Sequence, residues 1–480
     1  MPQIPLPTPA ELPIPRIPRF VLAFVVLASA TLLSAAEPTA LAPREKYLLL
    51  DQRLIERTEN AELRLGTVTK HPQNPLFKED QPCEVRFDNL YANIHFDDRA
   101  QLYRCWYSPF IVDPAVTTTP AAQRASTRYQ PHDREMGVCY ATSRDGLKWE
   151  KPALGLVEFN GNTANHLVMR RPHGSGVFHD PRDPDPARRF KLFARASESV
   201  RQMAVAFSPD GLHWSAPTLC PEINVPGDTH NNAFWSPELG KYVGITRMKS
   251  DQRLVARTES ADFLHWTKAV EVLRGDRTNQ TYAMPVFRHA GVYLGLLAIF
   301  NTATDRTHCE LAWSADTVAW HRIQPGTPLI PTASERGAYD WGCVYPAAVP
   351  VVRDQEIRLY YGASNGPHTN WRDGFLALAT LRPDGFAGWT PQDETKPAVL
   401  LTRPLTATGK TLRLTADIAP GGWVQATLLD PAGTVLAHGR RLTTTTTDGV
   451  GLQVANPHGQ PVRVRLEMQH AKVYSFAFAP

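Results

Sequence analysis

After residue 65 almost no stretch of the chain keeps a 3.6-residue apolar period for three turns. Apolar side chains come instead in short alternating runs broken by Gly, Pro, Asn and Asp, the pattern of half-buried β-strands joined by turns. Four of the turns are written alike: Ser143-Arg-Asp145-Gly-Leu-Lys-Trp149, Ser208-Pro-Asp210-Gly-Leu-His-Trp214, Ser260-Ala-Asp262-Phe-Leu-His-Trp266 and Ser314-Ala-Asp316-Thr-Val-Ala-Trp320. A looser fifth copy, Pro383-Asp384-Gly385-Phe-Ala-Gly-Trp389, has one extra residue. The tryptophans lie 65, 52, 54 and 69 residues apart, and self-similarity at such a period marks one supersecondary unit repeated. Within the motif the Ser ends a strand and the Asp bonds back to its own backbone to make the turn. Alternation then puts the Leu or Val and the Trp on one face of the next strand. A Trp delivered once per unit is an apolar plug that packs one sheet on its neighbour.

Counting back from each Trp gives four strands per unit. The inner strands fall at Asn89–Phe96, Gly176–His179, Asn231–Trp235, Ala283–Arg288 and Val344–Val352, and the fourth strands start at the motif tryptophans, Trp389 included. A polar insertion, Pro114 to Asp133, interrupts the first unit. Residues 37–65 form a leader, with one short helix expected over Lys46–Glu56. After Pro397, Thr and Val rise and aromatics thin out, and residues 398–480 read as a separate sandwich. The expectation is an all-β chain: a five-bladed β-propeller over 66–397 followed by a small β-sandwich domain.

Composition narrows the function. With 51 basic and 47 acidic residues and no basic run interleaved with aromatics, nucleic-acid binding is disfavoured. Arg16 and Arg19 precede the apolar run Phe20 to Leu33, and Ser34-Ala35-Ala36 offers small residues for cleavage. Residues 1–36 therefore read as a signal peptide of an exported, periplasmic or extracellular protein that leaves the membrane on cleavage, with an uncleaved anchor as the alternative reading of the same run. The six cysteines, at 83, 105, 139, 220, 309 and 343, are scattered and lack zinc-finger spacing. Neither a metal nor any other cofactor is expected, and buried free thiols are as good a reading as disulfides.

Five such units and a terminal sandwich resemble the five-bladed propeller glycoside hydrolases of the fructosidase-like family 32 and the arabinanase-like family 43. The likeness is carried by the turns, by second strands such as Cys105-Trp-Tyr, Arg189-Phe-Lys-Leu-Phe, Gly240-Lys-Tyr-Val-Gly and Leu359-Tyr-Tyr-Gly, and by the closing Ala471-Lys-Val-Tyr-Ser-Phe-Ala-Phe. It implies a carbohydrate substrate and a carboxylate at the start of each of the first three inner strands. The family 32 patterns do not carry over: Arg182-Asp183-Pro184 lies in a turn after the second inner strand, where a structural role is expected. A sialidase reading fits less well, because that turn carries an additional residue and its fold has six blades.

Glycosidic cleavage needs two carboxyl groups flanking the bond, one protonated and one ionised. Asp228, with Asp88 or Glu84 as partner and Asp340 as a modulator, are the expected catalytic groups. Asn89, His173, His230, Asn231, Asn279, Gln280, Tyr282 and Trp341, at the starts of inner strands, are the expected sugar-binding residues, with Tyr91, Tyr282 and Trp341 able to stack on sugar faces. The alternative is a propeller that binds carbohydrate without cleaving it.

Overall fold

The computed structural model describes residues 43–353, 355–453, 459 and 461–480; the expected signal peptide lies outside them. Nearly all regular structure is strand, and among the described residues no helix is long and apolar enough to cross a membrane. Five antiparallel sheets follow one another, the fourth and fifth joined into one eleven-stranded sheet by a parallel bridge from Thr307 to Cys343. The first pairs Asn93–Asp97, Leu102–Tyr107, Glu135–Ser143 and Leu167–Arg170; the second, His173–His179, Phe190–Arg195, Met203–Ser208 and Thr218–Leu219. The third pairs Asn232–Ser236, Lys241–Lys249, Arg253–Ser260 and Val270–Arg274. In the fourth, Asn279–Ala283 and Val286–His289 share the inner position beside Val292–Asn301, Arg306–Ser314 and Trp320–Ile323. The fifth is built on Cys343–Pro346, Val351–Arg353, Glu356–Ser364 and Gly374–Leu381, and its outer edge is supplied by Thr69–Lys70 and Phe77–Lys78.

Each seam between neighbouring sheets has its own apolar cluster. Trp106, Val138, Phe190 and Leu192 fill the first-to-second seam, and Phe193, Val205, Tyr242 and Trp266 the second-to-third. Val243, Val255, Tyr293 and Leu297 fill the third-to-fourth, Leu294, Trp313, Leu359 and Tyr361 the fourth-to-fifth, and Cys105, Tyr107, Tyr360 and Leu378 the fifth-to-first. The ring is thereby closed on itself, a propeller-type arrangement that leaves few free sheet edges. Trp149, Trp214, Trp266 and Trp320 each sit in or against the seam between their own sheet and the preceding one.

The repeated turn makes a second link across the same seams. Asp210 Oδ1 accepts from the backbone N–H groups of Leu212 (2.8 Å) and His213 (2.9 Å), and Ser208 Oγ accepts from Gly211 N (2.8 Å); the other three copies repeat this pattern. The backbone carbonyls so exposed take donors from the preceding sheet. Trp106 Nε1 donates to Gly211 O at 2.6 Å, Tyr360 OH to Gly146 O at 2.9 Å, and Arg188 Nη2 to Asp262 O at 2.5 Å. The residue after the Asp is left-handed in all four, at φ 75° (Gly146), 78° (Gly211), 65° (Phe263) and 67° (Thr317). Glycine meets that demand freely. Phe263 is instead buried in the seam core, and Thr317 Oγ1 accepts from the Arg257 guanidinium at 2.7 Å.

Two parts of the sequence reading are corrected here. The helix expected over Lys46–Glu56 is absent: Tyr47–Leu48 is a strand, Gln52–Leu54 a single 3₁₀ turn and Ile55–Glu59 a strand. Trp389 does not begin a fourth strand of the fifth sheet. It lies in Ala387–Pro391, which pairs with Ala61–Leu65, and its Nε1 donates to Leu49 O at 2.8 Å. Both ends of the described chain thus enter one ten-stranded terminal sheet, in which Ile55–Glu59 pairs with Ala398–Thr402 and Tyr47–Leu48 with the long strand Pro461–Ala479. Alternation in the terminal strands buries Leu412, Leu414, Val424, Val464, Leu466 and Phe476 on the inner face.

Candidate active site

The inner strands converge at their starts on a funnel of about 290 Å³, walled by Asp88, Asn89, Tyr91, His173, Asp228 and Tyr282 with Arg128, Arg134, Arg247, Arg253 and His368. Close approach of two inner strands builds one wall. A Cβ on Gly174 would lie 1.7 Å from Thr229 O, and one on Gly176 would lie 2.0 Å from Asn231 O. Only glycine lets these strands come so near, and the approach seats His173 beside Asp228. His173 Nε2 is 3.1 Å from Asp228 Oδ1, at an angle outside hydrogen-bond geometry, while Nδ1 bonds to Glu198. Burial alone would lower the His173 pKa, but the carboxylates of Asp228 and Glu198 outweigh it and raise it above the ordinary value.

Asp228 is the open carboxylate of the funnel, its side chain 51% exposed. Desolvation by the funnel wall pushes its pKa up; Arg247, whose Nη2 is 2.5 Å from Oδ2, and His173 pull harder and hold it well below the carboxylate range. Arg247 also lies over the Tyr282 ring at 4.8 Å. Asp88 is more enclosed. Arg372 Nη2 donates to its Oδ1 (2.7 Å) and to its backbone carbonyl (2.8 Å), and Arg86 Nε donates to the same Oδ1 at 3.1 Å. Burial opposes the charge, yet Arg372, Arg86 and Arg134 keep Asp88 ionised far below its usual value. The turn that presents it is strained: Leu90 and Tyr91 are both left-handed, at φ 63° and 47°. Such outliers gather at functional sites. Asn89 Nδ2 ties this turn to the opposite wall through Tyr282 OH (2.8 Å) and Tyr91 OH (2.6 Å).

The remaining expected residues lie elsewhere. His230 is buried with Nε2 3.4 Å from Asn93 Oδ1, and burial lowers its pKa to about 4. The Asn231 amide is spent on the carbonyls of Gly174, Gly227 and Thr229. Gln280 sits behind Arg253, accepting from its Nη1 at 2.9 Å, and Asn279 caps a turn with Asp276. Asp340 is buried against Lys70 Nζ (2.6 Å) and Tyr361 OH (3.0 Å), and Trp341 stacks between Arg306 and Arg336. Glu84 is enclosed by Tyr107, His166 and Lys151; burial would raise its pKa, but these partners lower it to about 2. None of these seven lines the funnel.

Sequence reasoning passed over the arginines, Glu198 and His368. The polar insertion forms two short helices, Pro114–Thr118 and Ala121–Arg124, and with the residue that follows it brings Arg128 and Arg134 to the funnel mouth. It is anchored where Trp371 Nε1 donates to Thr127 O at 2.8 Å and where Tyr129 packs on Trp371 at 5.0 Å. Arg182-Asp183-Pro184 stays in a turn, with Asp183 paired to Lys191 at 2.8 Å.

The sequence matches no protein-family model and no curated protein. Its structure is similar to a glycosyl hydrolase from Bacteroides ovatus (TM-score 0.45, 13% identity, 67% of this chain and 94% of that one). It is also similar to an N-acetylgalactosamine deacetylase from F. plautii solved with blood group B trisaccharide (TM-score 0.43, 13% identity, 68% and 96%). A third similarity is to a structure of the GH130 family of mannoside phosphorylases, which contains glycoside hydrolases that target β-1,2 mannosidic linkages in Candida mannan (TM-score 0.44, 13% identity, 67% and 95%). These likenesses carry no argument about the reaction, which has to come from the funnel itself.

Proposed function

We propose that the protein is an exported, glycosidase-like enzyme that cleaves an acidic oligo- or polysaccharide in this funnel. The observation that carries the reading is the triad of one open carboxylate, one imidazole set between two carboxylates and a cationic wall: Asp228, His173 and the arginines. Asp228 is ionised and faces the cavity, so it serves as the base toward water or as the nucleophile. Asp88, pinned by two guanidinium groups, supplies fixed negative charge toward an oxocarbenium-like transition state. Since neither carboxyl is kept neutral, the expectation of one protonated and one ionised carboxyl gives way to His173 as the proton donor: its Nε2 gives up the proton and regains it from solvent, while Glu198 holds the Nδ1 proton.

Charge supports the substrate class. Asp88 and Asp228 are already matched by Arg86, Arg372, Arg134 and Arg247, and among the described residues Arg128 and Arg253 form no salt bridge. Guanidinium groups in a concave site favour carboxylate, sulfate or phosphate substituents. The test is release of reducing sugar from paired neutral and acidic oligosaccharides by wild type, Asp228→Asn and Arg253→Met. Cleavage of acidic glycans, lost in Asp228→Asn and with raised KM in Arg253→Met, supports the proposal. Binding without any turnover in the wild type would leave the carbohydrate-binding alternative standing. Export rests on the N-terminal pattern and is tested by N-terminal sequencing of the secreted product.

A further inference from the structure

We infer that Cys83, Cys139 and His166 form a binding site for a thiophilic d¹⁰ metal ion, zinc or cuprous copper, outside the funnel. Both cysteines are free thiols and all three residues are buried, at 1%, 0% and 2% exposure, and one donor atom from each lies within 4.8 Å of the others. Cys83 Sγ is 3.7 Å from His166 Nδ1. Ligands on a tetrahedral ion, with metal–sulfur near 2.3 Å and metal–nitrogen near 2.0 Å, stand about 3.5–3.8 Å apart. Two soft thiolates and one imidazole select zinc or cuprous copper over hard cations.

The surroundings of the imidazole supply the second observation. Cys83 Sγ stands 3.9 Å from His166 Nε2 as well, but Nε2 is taken by Glu84 Oε1 at 3.1 Å and Tyr107 OH at 2.9 Å, which leaves Nδ1 as the nitrogen available to an ion. A ligating histidine commonly donates its other N–H to a carboxylate, which fixes ring and tautomer. Glu84 is itself held by Lys151 Nζ at 2.7 Å and by the backbone N–H groups of Asp80 (3.0 Å) and Gln81 (3.2 Å). The carboxylate is therefore a positioning group for His166. Cys139 sits mid-strand in Glu135–Ser143, paired with Tyr107 and Leu167, and His166 O accepts from Tyr140 N at 2.9 Å. Cys83 belongs to the loop that leads to Asp88. An ion here staples that loop to the first sheet, with release of the two thiol protons as thiolates form.

The test uses the full chain, reduced and freed of metal by a chelator, with Co²⁺ added both to the native protein and during refolding from urea, since the site is enclosed. The expected result is one equivalent bound per chain, an intense thiolate-to-cobalt charge-transfer band, and its bleaching by one equivalent of Zn²⁺. A parallel Cu⁺ competition with a chromogenic chelator decides between the two ions. Cys139→Ser and His166→Gln each weaken binding at least tenfold, while Cys105→Ser, which changes a buried thiol outside the cluster, retains it. Absence of the band in the wild type overturns the inference, as does a band that survives in both site variants. A Cys83–Cys139 disulfide recovered from native protein by non-reducing digestion also overturns it.

Discussion

Arg372→Met probes what keeps Asp88 charged. The Arg372 side chain is fully buried; its Nη2 gives three hydrogen bonds, at 2.7 and 2.8 Å to Asp88 and 3.2 Å to Asn89 Oδ1, and its Nη1 makes longer ones to Pro367 O and Tyr345 OH. Breaking a buried pair by removing one partner costs about 3–5 kcal/mol. Two features reduce that figure: Arg86 remains 3.1 Å from the carboxylate, and Arg372 Nε already lacks a hydrogen-bond partner. The expected loss is about 3 kcal/mol at pH 7, read from urea unfolding followed by tryptophan fluorescence. The sign of the pH dependence follows from the depressed pKa of Asp88 in the folded protein. Stability from such a group is complete above the unfolded value, near 3.9, and is lost as pH falls below it toward the folded value. Wild type therefore loses roughly 1 kcal/mol more than Arg372→Met between pH 7 and pH 3, and the gap narrows. A double-mutant cycle with Asp88→Asn gives a coupling of about 2 kcal/mol. A loss below about 1 kcal/mol at pH 7, or a gap unchanged at pH 3, refutes the reasoning.

Asp340→Asn keeps the specific activity of folded protein, whereas Asp228→Asn lowers kcat by at least about 10²-fold, the scale of a lost general base; steady-state assays on one acidic glycan compare them. Because its two carboxylates raise the His173 pKa above the ordinary value, the alkaline fall in activity that follows discharge of the proton donor lies at higher pH than a free imidazole would give. His173→Asn abolishes that alkaline limb in a pH–rate profile. Asp210→Ala removes the acceptor for two backbone N–H groups and costs about 1–2 kcal/mol in chemical unfolding, as loss of a helix cap does, with no change in KM.

The propeller units were legible because turn chemistry and alternation are local: Ser208, Asp210 and Trp214 sit within seven residues and make one another's contacts. Asp88, Asn89, His173, Asp228 and Tyr282 were legible for a related reason, since strand starts point to the axis. Asp340 and Trp341 occupy a comparable sequence position, but Lys70 and Arg306 from outside the axis claim them. Trp389 misled because its turn looks like the others while its strand partner, Ala61–Leu65, lies more than 300 residues earlier. The arginine wall was invisible because its members come from an insertion and from the Arg247–Arg253 hairpin, neither of which carries a motif. Likewise Cys83, Cys139 and His166 meet only through the fold, at spacings of 56 and 27 residues.

The terminal sheet sets an order on biosynthesis. Tyr47-Leu48-Leu49-Leu50, fully buried in the finished protein, emerges from the ribosome early. The strands that cover it, Ala387–Pro391 and Pro461–Ala479, emerge last. The edge of the fifth sheet waits similarly, because Thr69–Lys70 and Phe77–Lys78 have no partner until Gly374–Leu381 is made. For most of translation a nascent chain therefore carries an apolar leading segment and unpaired strand edges, the features that invite aggregation. Ring closure and terminal-sheet closure become late, linked events, and residues 66–397 cut out alone would lose Leu48, Leu50 and Leu65 from the fourth-to-fifth seam as well as the cover over Trp389.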